Sequence, residues 1–326
     1  MEQSSKWQIN TKKIVSWAGT LLMVASLVFL ARRLFIYNDD FDASVFLSAG
    51  VAIGLITVAI FEGIGILLAA TNFRALVKNV SGVLVSRPLA YVVYTISNLY
   101  KYIPGGVMYV VGRNRLAVET EELSHPKVAL STVLEGIIIA FAAITLIVIT
   151  VFDHAAEYIR QAEFEMPRAL AITIIVVVVL AVSAAFSFRS KIKEGIGKLF
   201  DHMRVLSVLV LIKRFGFGLV LMTLWGGTFL ATLMILGQPL APGQAYMVIG
   251  LFLLSWLAGF LTPGAPSGLG IREIVMFMFL GNVLNEEILL SAMVVHRIVA
   301  AAGDVAAYGI ALGYAHLTKR TEKKPV

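Results

Sequence analysis

The chain has 326 residues, of which 59% are hydrophobic and only 14% charged, with a formal net charge of +7 and no cysteine. That balance excludes an ordinary soluble domain and describes a polytopic membrane protein. The missing cysteines exclude a disulfide, a thiolate metal site and a thiol nucleophile, and without a GxxxxGK loop the sequence offers no ATP-driven pump.

A helix needs roughly 20 apolar residues to cross about 30 Å of hydrocarbon. On that measure, crossings are predicted at 14–31, 43–70, 129–152, 169–188, 205–236, 244–261 and 288–316. The first is long enough to span and carries no cleavage site, so it is predicted to remain as an anchor. The stretch YNDDFDAS follows, with Asp39, Asp40 and Asp42 on an outer loop. Two readings stand for them: a solvated acidic turn, or a base or divalent-ion site in a polyprenyl-phosphate-dependent glycosyltransferase.

The basic residues give the orientation. With both termini in the cytoplasm, the inner segments carry eighteen, including Lys12, Arg74, Arg113, Lys127 and the run from Arg189 to Arg204, whereas the outer segments carry only Arg32, Arg33, Arg160 and Arg168. The count requires residues 89–111 to enter and leave on the cytoplasmic side as a re-entrant hairpin, whose turn is supplied by Pro104, Gly105 and Gly106. Segment 271–281 is also too short to cross, so 244–281 is predicted to descend from outside, break over Pro263 to Gly270 and return. The basic stretch 189–204, RSKIKEGIGKLFDHMR, links the halves as an interfacial helix or a disordered loop on the anionic leaflet.

The hairpins share a spacing: PGGVMYVVGR ends at Arg113 and PGAPSGLGIR at Arg272, each arginine nine residues after its proline. Interrupted apolar segments at matching places, oppositely oriented, point to an inverted repeat of about 14–152 and 169–316 within one membrane domain. Broken backbone at membrane depth must line protein or a water-filled cavity. The predicted class is therefore an all-α polytopic protein of about seven long apolar helices and two broken hairpins.

The run WLAGFLTPGAPSGLGIREIVMFMFL, with NLYKYIPGG upstream, LEG at 134–136 and HRIVAAAGDVAAY near the end, resembles the transmembrane, flippase-like domain of lysylphosphatidylglycerol synthases over roughly residues 14–316. The resemblance implies a lipid translocator in a plasma (inner) membrane. The sequence ends at TKRTEKKPV without the soluble domain that transfers the amino acid, so lipid movement and not aminoacyl transfer is expected. Val107, Met108 and Tyr109 stand where the family tends to carry Gly-Glu or Gly-Asp, so the substrate need not be the family's.

Ionisable groups inside membrane segments are rare unless they pair or face a cavity. The expected substrate-binding set is Arg272, Glu273, Gly268, Gly270, Pro263, Lys101, Pro104, Gly105, Gly106, Arg113, Glu135, Arg297 and Asp304. Arg272 follows a glycine-rich break, where a guanidinium can grip phosphate with two bonds; its other reading is an ion pair with Glu135 or Asp304. Glu273 is either a site residue or a helix-start acid that complements the dipole, and Lys101 binds a head group or snorkels to the interface. Arg297 and Asp304 lie on one helix face about 10 Å apart, so each needs a partner elsewhere. His296 suits a proton-coupled carrier or an ordinary buried histidine. Glu62 and Glu135 each precede a glycine, which suits tight helix packing beside a hydrogen-bonded acid. The expected partners are anionic or phosphate-bearing lipids, with a cell-envelope glycosyltransferase or lipid-modifying enzyme as a further class. Neither a cofactor nor nucleic acid is expected. A non-transporting partner of such an enzyme is the third reading of function.

Overall fold

The computed structural model describes residues 48–102, 108–120, 123–161, 207–241, 243–262, 266–281 and 283–322. The predicted crossings at 14–31 and 169–188, the three outer-loop aspartates and the basic stretch 189–204 lie outside these residues, as do Pro104, Gly105, Gly106 and Pro263.

Helix α1 (Ala49–Ser81) starts where the Ser48 hydroxyl accepts the Val51 N–H at 3.3 Å and stops at Gly82, whose left-handed φ of 80° lets its N–H cap Lys78. It runs well past the predicted end at 70, because Arg74 and Lys78 are accommodated on its last turns; Arg74 Nε donates to the Val85 carbonyl at 2.6 Å. Pro88 in the first turn starts α2 (Arg87–Leu99), which passes through a 3₁₀ turn at Tyr100–Tyr102. After the break come the short helices α3 (Met108–Arg113) and α4 (Arg115–Glu119), then the long α5 (His125–Gln161). The second series is α6 (Val208–Ile235), α7 (Gln244–Leu261), a 3₁₀ turn at Pro266–Gly268, α8 (Ile271–Leu280) and α9 (Glu286–Glu322). Among the described residues there is no strand.

Among the described residues five helices are long and apolar enough to cross a membrane: α1, α5 over 125–151, α6, α7 and α9 over 286–318. Their outward faces carry large apolar side chains left uncovered, among them Ile53 at 66%, Phe141 at 60% and Ile212 at 61% exposure. Exposed apolar surface on that scale has a lipid environment as its solvent. The chain is a multi-pass helical membrane protein.

The same order, long helix, broken pair, long helix, occurs twice: α1, α2 with α3, α5, and then α6, α7 with α8, α9. The packing partners recur as well. As α1 packs on α9, so α6 packs on α5; as α2 packs on α9, so α7 packs on α5; and each broken pair folds against itself, α2 on α3 and α7 on α8. The two leading helices run antiparallel, with Gly54 beside Ile235, Glu62 bonded to Thr228, Gly65 beside Trp225 and Asn72 bonded to Arg214. Helices α5 and α7 are antiparallel too, Gly136 meeting Phe260 and Gly250 meeting Thr150, as are α2 and α9 through Tyr91 with Tyr314 and Asn98 with Asp304.

Among the described residues a small apolar cluster at Leu76 and Leu134 and two large ones hold the bundle. One, centred on Met222, Phe229, Phe252, Met276 and Leu289, joins α5 to α9; the other, with Ala70, Phe73, Ala90, Tyr94 and Leu221, joins α1, α2 and α6. Backbones come close where α1 crosses α9: a Cβ added to Gly303 would lie 2.6 Å from Glu62 Cβ and 2.7 Å from the Ala59 carbonyl oxygen. Small residues at such a crossing allow the dispersion contacts on which membrane helices depend. Gly303→Ala is therefore expected to lower the melting temperature in detergent, with a cost of about 1–3 kcal/mol for overpacking. An unchanged melting temperature would show that the crossing can open freely.

Candidate functional site

A cavity of about 450 Å³ lies between the two broken pairs and the long helices. Lys101 comes from the 3₁₀ turn after α2, Arg113 from α3, Glu135 from α5, Gly268, Arg272 and Glu273 from the turn and start of α8, and Arg297 from α9; all line this one space. Asp304 stands just behind it, bonded to Lys101. The predicted site residues that are described thus converge, although Lys101 and Asp304 are about 200 positions apart in sequence; Gly270 does not line the cavity but caps the start of α8.

Most of the charges are neutralised in pairs. Arg113 pairs with Glu135, and both are buried. The Tyr94 hydroxyl donates to the second Glu135 oxygen at 3.2 Å, and the guanidinium lies 4.2 Å from the Tyr94 ring centre and 4.8 Å from that of Phe73. Lys101 Nζ is 2.7 Å from Asp304, which also accepts from Asn98 at 2.8 Å and from the Tyr102 hydroxyl at 2.6 Å. Glu273 pairs with Arg297 through one oxygen and accepts the Gly270 N–H through the other at 2.7 Å. It sits in the first turn of α8 and closes that helix start.

Arg272 is different. Among the described residues it has no ion-pair partner, since Glu135 and Asp304 are taken by Arg113 and Lys101. Its guanidinium lies 5.1 Å from the centre of the Phe252 ring, and its Nε is buried without an acceptor. The local backbone explains how it comes to be there. Gly268 and Gly270 have φ of 67° and 86°, conformations that glycine adopts without penalty. A Cβ on Gly268 would lie 2.7 Å from Gly259 Cα, so α7 and the turn touch backbone to backbone and α8 starts directly against the cavity.

Among the described residues the buried, unpartnered side-chain atoms of the cavity lining are all donors: Arg113 Nε, Trp225 Nε1, Arg272 Nε and Arg297 Nη2. A lining with spare donors suits a ligand made of acceptors. The remaining wall is aromatic, with Tyr109, Trp225, Phe229, Phe252, Trp256 and Phe260, the last two stacked at 5.1 Å between ring centres. Phe260 and Leu261 line the cavity at the end of α7, beside Gly136 of α5, and are also 42% and 66% exposed.

Glu62 and His296 also line the cavity. Glu62 accepts from or shares with the Thr228 hydroxyl at 2.5 Å, and His296 Nε2 lies 3.7 Å from the same carboxylate oxygen. The imidazole is wedged edge-on against Phe229 and Phe252, both at 5.4 Å. Among the described residues no group of three or more histidine, aspartate and glutamate side chains is placed to hold a metal.

Equal spacing from proline does not give the two arginines equal placement. Arg113 ends α3, whereas Arg272 is the second residue of α8. Arg113, counted among the basic residues of an inner segment, is buried. The sequence reasoning passed over Tyr94, Asn98, Tyr102 and Thr228, whose signal was their polar or aromatic character on otherwise apolar stretches; Asn98, Lys101 and Tyr102 are spaced at one helical turn. Comparison of the chain with protein-family models and with curated proteins finds no match.

Proposed function

We propose that the protein moves a phosphate-bearing anionic lipid between membrane leaflets. The observation that carries this reading is the cavity's charge arrangement: three of its cations are paired, Arg272 is not, and the leftover buried hydrogen-bonding atoms are donors. A phosphate offers oxygens and negative charge but no obligatory donor, and a guanidinium can hold it through two parallel bonds. Phe260 and Leu261, which line the cavity and are also exposed, give the acyl or prenyl chains an apolar edge to follow into surrounding lipid while the head group stays inside.

The recurring helix order and the antiparallel leading helices support alternating access by rocking of two inverted halves about the shared cavity. In this arrangement the breaks after α2 and after α7 are re-entrant, opening to opposite faces, and both termini are cytoplasmic. The resemblance of PGAPSGLGIRE and its flanking helix to the flippase-like domain of lysylphosphatidylglycerol synthases points to the same class of activity.

Reconstitution tests the proposal. Liposomes with the protein should move chain-labelled phosphatidylglycerol from one leaflet to the other faster than the matched phosphatidylcholine, as read by quenching of the outer label. Equal rates for both lipids, or a rate no greater than in protein-free liposomes, would refute it.

A further inference from the structure

We propose that Glu62 and His296 hold one exchangeable proton that binds together with the anionic head group, so that the cavity takes up lipid and proton as a pair. This rests on the lipid-site reading above and adds its coupling.

The hydrogen-bond bookkeeping marks the proton's place. The Thr232 hydroxyl donates to the Thr228 carbonyl at 2.8 Å, so its oxygen can only accept from His296 Nδ1, 3.3 Å away. The ring hydrogen is therefore on Nδ1, and Nε2 presents a lone pair to Glu62 Oε1 at 3.7 Å. On the other side of that oxygen, the Thr228 hydroxyl is 2.5 Å from Glu62 Oε1 and 2.7 Å from the Trp225 carbonyl, and its single hydrogen can serve only one of them. When it serves Trp225, two lone-pair carriers face the carboxylate oxygen. A proton on Glu62 or on His296 Nε2 converts that arrangement into a satisfied one.

The charges give the coupling its direction. Facing Glu62 are Thr228 of α6, His296 and Asp304 of α9, Lys101 and Tyr102 of the 3₁₀ turn, and Arg272 of α8. Lys101 and Asp304 cancel each other, as do Arg113 with Glu135 and Arg297 with Glu273. Glu62 and Arg272 then remain, in electrostatic contact within one cavity. With Glu62 ionised, they balance, and a monoanionic head group would bring a net negative charge into a low-dielectric space. With the proton bound, Arg272 stands alone and the same head group restores neutrality. Proton and anion therefore favour each other's binding, and the reciprocity is thermodynamic.

The test uses the full-length protein in neutral detergent and phosphatidylglycerol in mixed micelles as the probe, because its phosphodiester keeps one charge throughout the pH range. Binding is followed by tryptophan fluorescence, since Trp225 and Trp256 line the cavity, and proton uptake by an indicator dye in weak buffer. The wild type should take up about one proton per lipid bound, and its affinity should fall about tenfold per pH unit above the titration of the pair. Glu62→Gln keeps an acceptor for Thr228 and mimics the protonated acid. It should bind at high pH as the wild type does at low pH, with no proton uptake. His296→Gln should lower the proton count. Lipid binding that Arg272→Gln weakens, but without proton uptake in the wild type or with the wild-type pH slope kept in Glu62→Gln, overturns the coupling and leaves the lipid site standing. Failure of the wild type to bind the probe, or binding that Arg272→Gln does not change, overturns both.

Discussion

Replacing Arg272 with glutamine is expected to weaken binding of an anionic lipid about ten- to a hundredfold while leaving the melting temperature in detergent close to that of the wild type. The size follows from the loss of charge-assisted hydrogen bonds, worth about 1.5–3 kcal/mol. The unchanged stability follows from the surroundings of the side chain: among the described residues no carboxylate forms an ion pair with Arg272, and Glu62, the acid it balances across the cavity, sheds its charge by taking up a proton. Removing Arg272 also relieves a buried Nε that has no acceptor. Arg272→Lys should recover part of the binding, because an ammonium attracts phosphate as a point charge but cannot engage it with a planar fork. Equilibrium binding and thermal unfolding measured on the same samples decide the matter. Loss of stability with binding per folded molecule unchanged would mean that Arg272 is a strut and not a ligand.

The opposite pattern is expected at Arg113 and Glu135. Both are buried, and the pair is closed in by the Tyr94 hydroxyl and by the Phe73, Tyr94 and Tyr109 rings. Arg113→Met leaves the Glu135 carboxylate buried with only a tyrosine to bond it, and such a cut typically costs about 3–5 kcal/mol. The double variant with Glu135→Leu removes the stranded charge and should regain most of the loss, since an apolar pair of similar volume often matches a buried ion pair. A thermal or denaturant series over the two single variants and the double variant gives the coupling directly. If Arg113→Met melts like the wild type, the arginine is not a structural partner and belongs with Arg272 among the ligand-binding groups.

Membrane character and the positions of five long helices were readable from apolar length alone, since a run such as MVIGLFLLSWLAGFL has no other stable solvent. Helix ends were less readable. Arg74 and Lys78 look like a cytoplasmic loop, yet α1 carries both, because Arg74 finds a carbonyl at Val85 and Gly82 provides the true stop. A buried ion pair hides similarly: Arg113 adds to a basic count until Glu135, twenty-two positions on, is placed beside it. Convergence of the ionisable residues was legible as a class, because lipid penalises each of them singly. Their assignment was not. Which carboxylate serves which cation depends on helix rotation and crossing, which place Asp304 under Asn98, Lys101 and Tyr102 and leave Glu273 to Arg297.

The Glu273 carboxylate has a mechanical meaning beyond its charge. One oxygen holds the Gly270 N–H and so fixes the first turn of α8; the other holds Arg297 in the first third of α9. Two degrees of freedom, the winding of one helix and the roll of another, are thereby tied to a single rigid planar group. α9 cannot turn far without pulling on the turn from which Arg272 projects, and α8 cannot unwind its start without letting go of α9. The carboxylate is the crank pin of this linkage, one rigid group shared by the long helix and by the turn that carries Arg272.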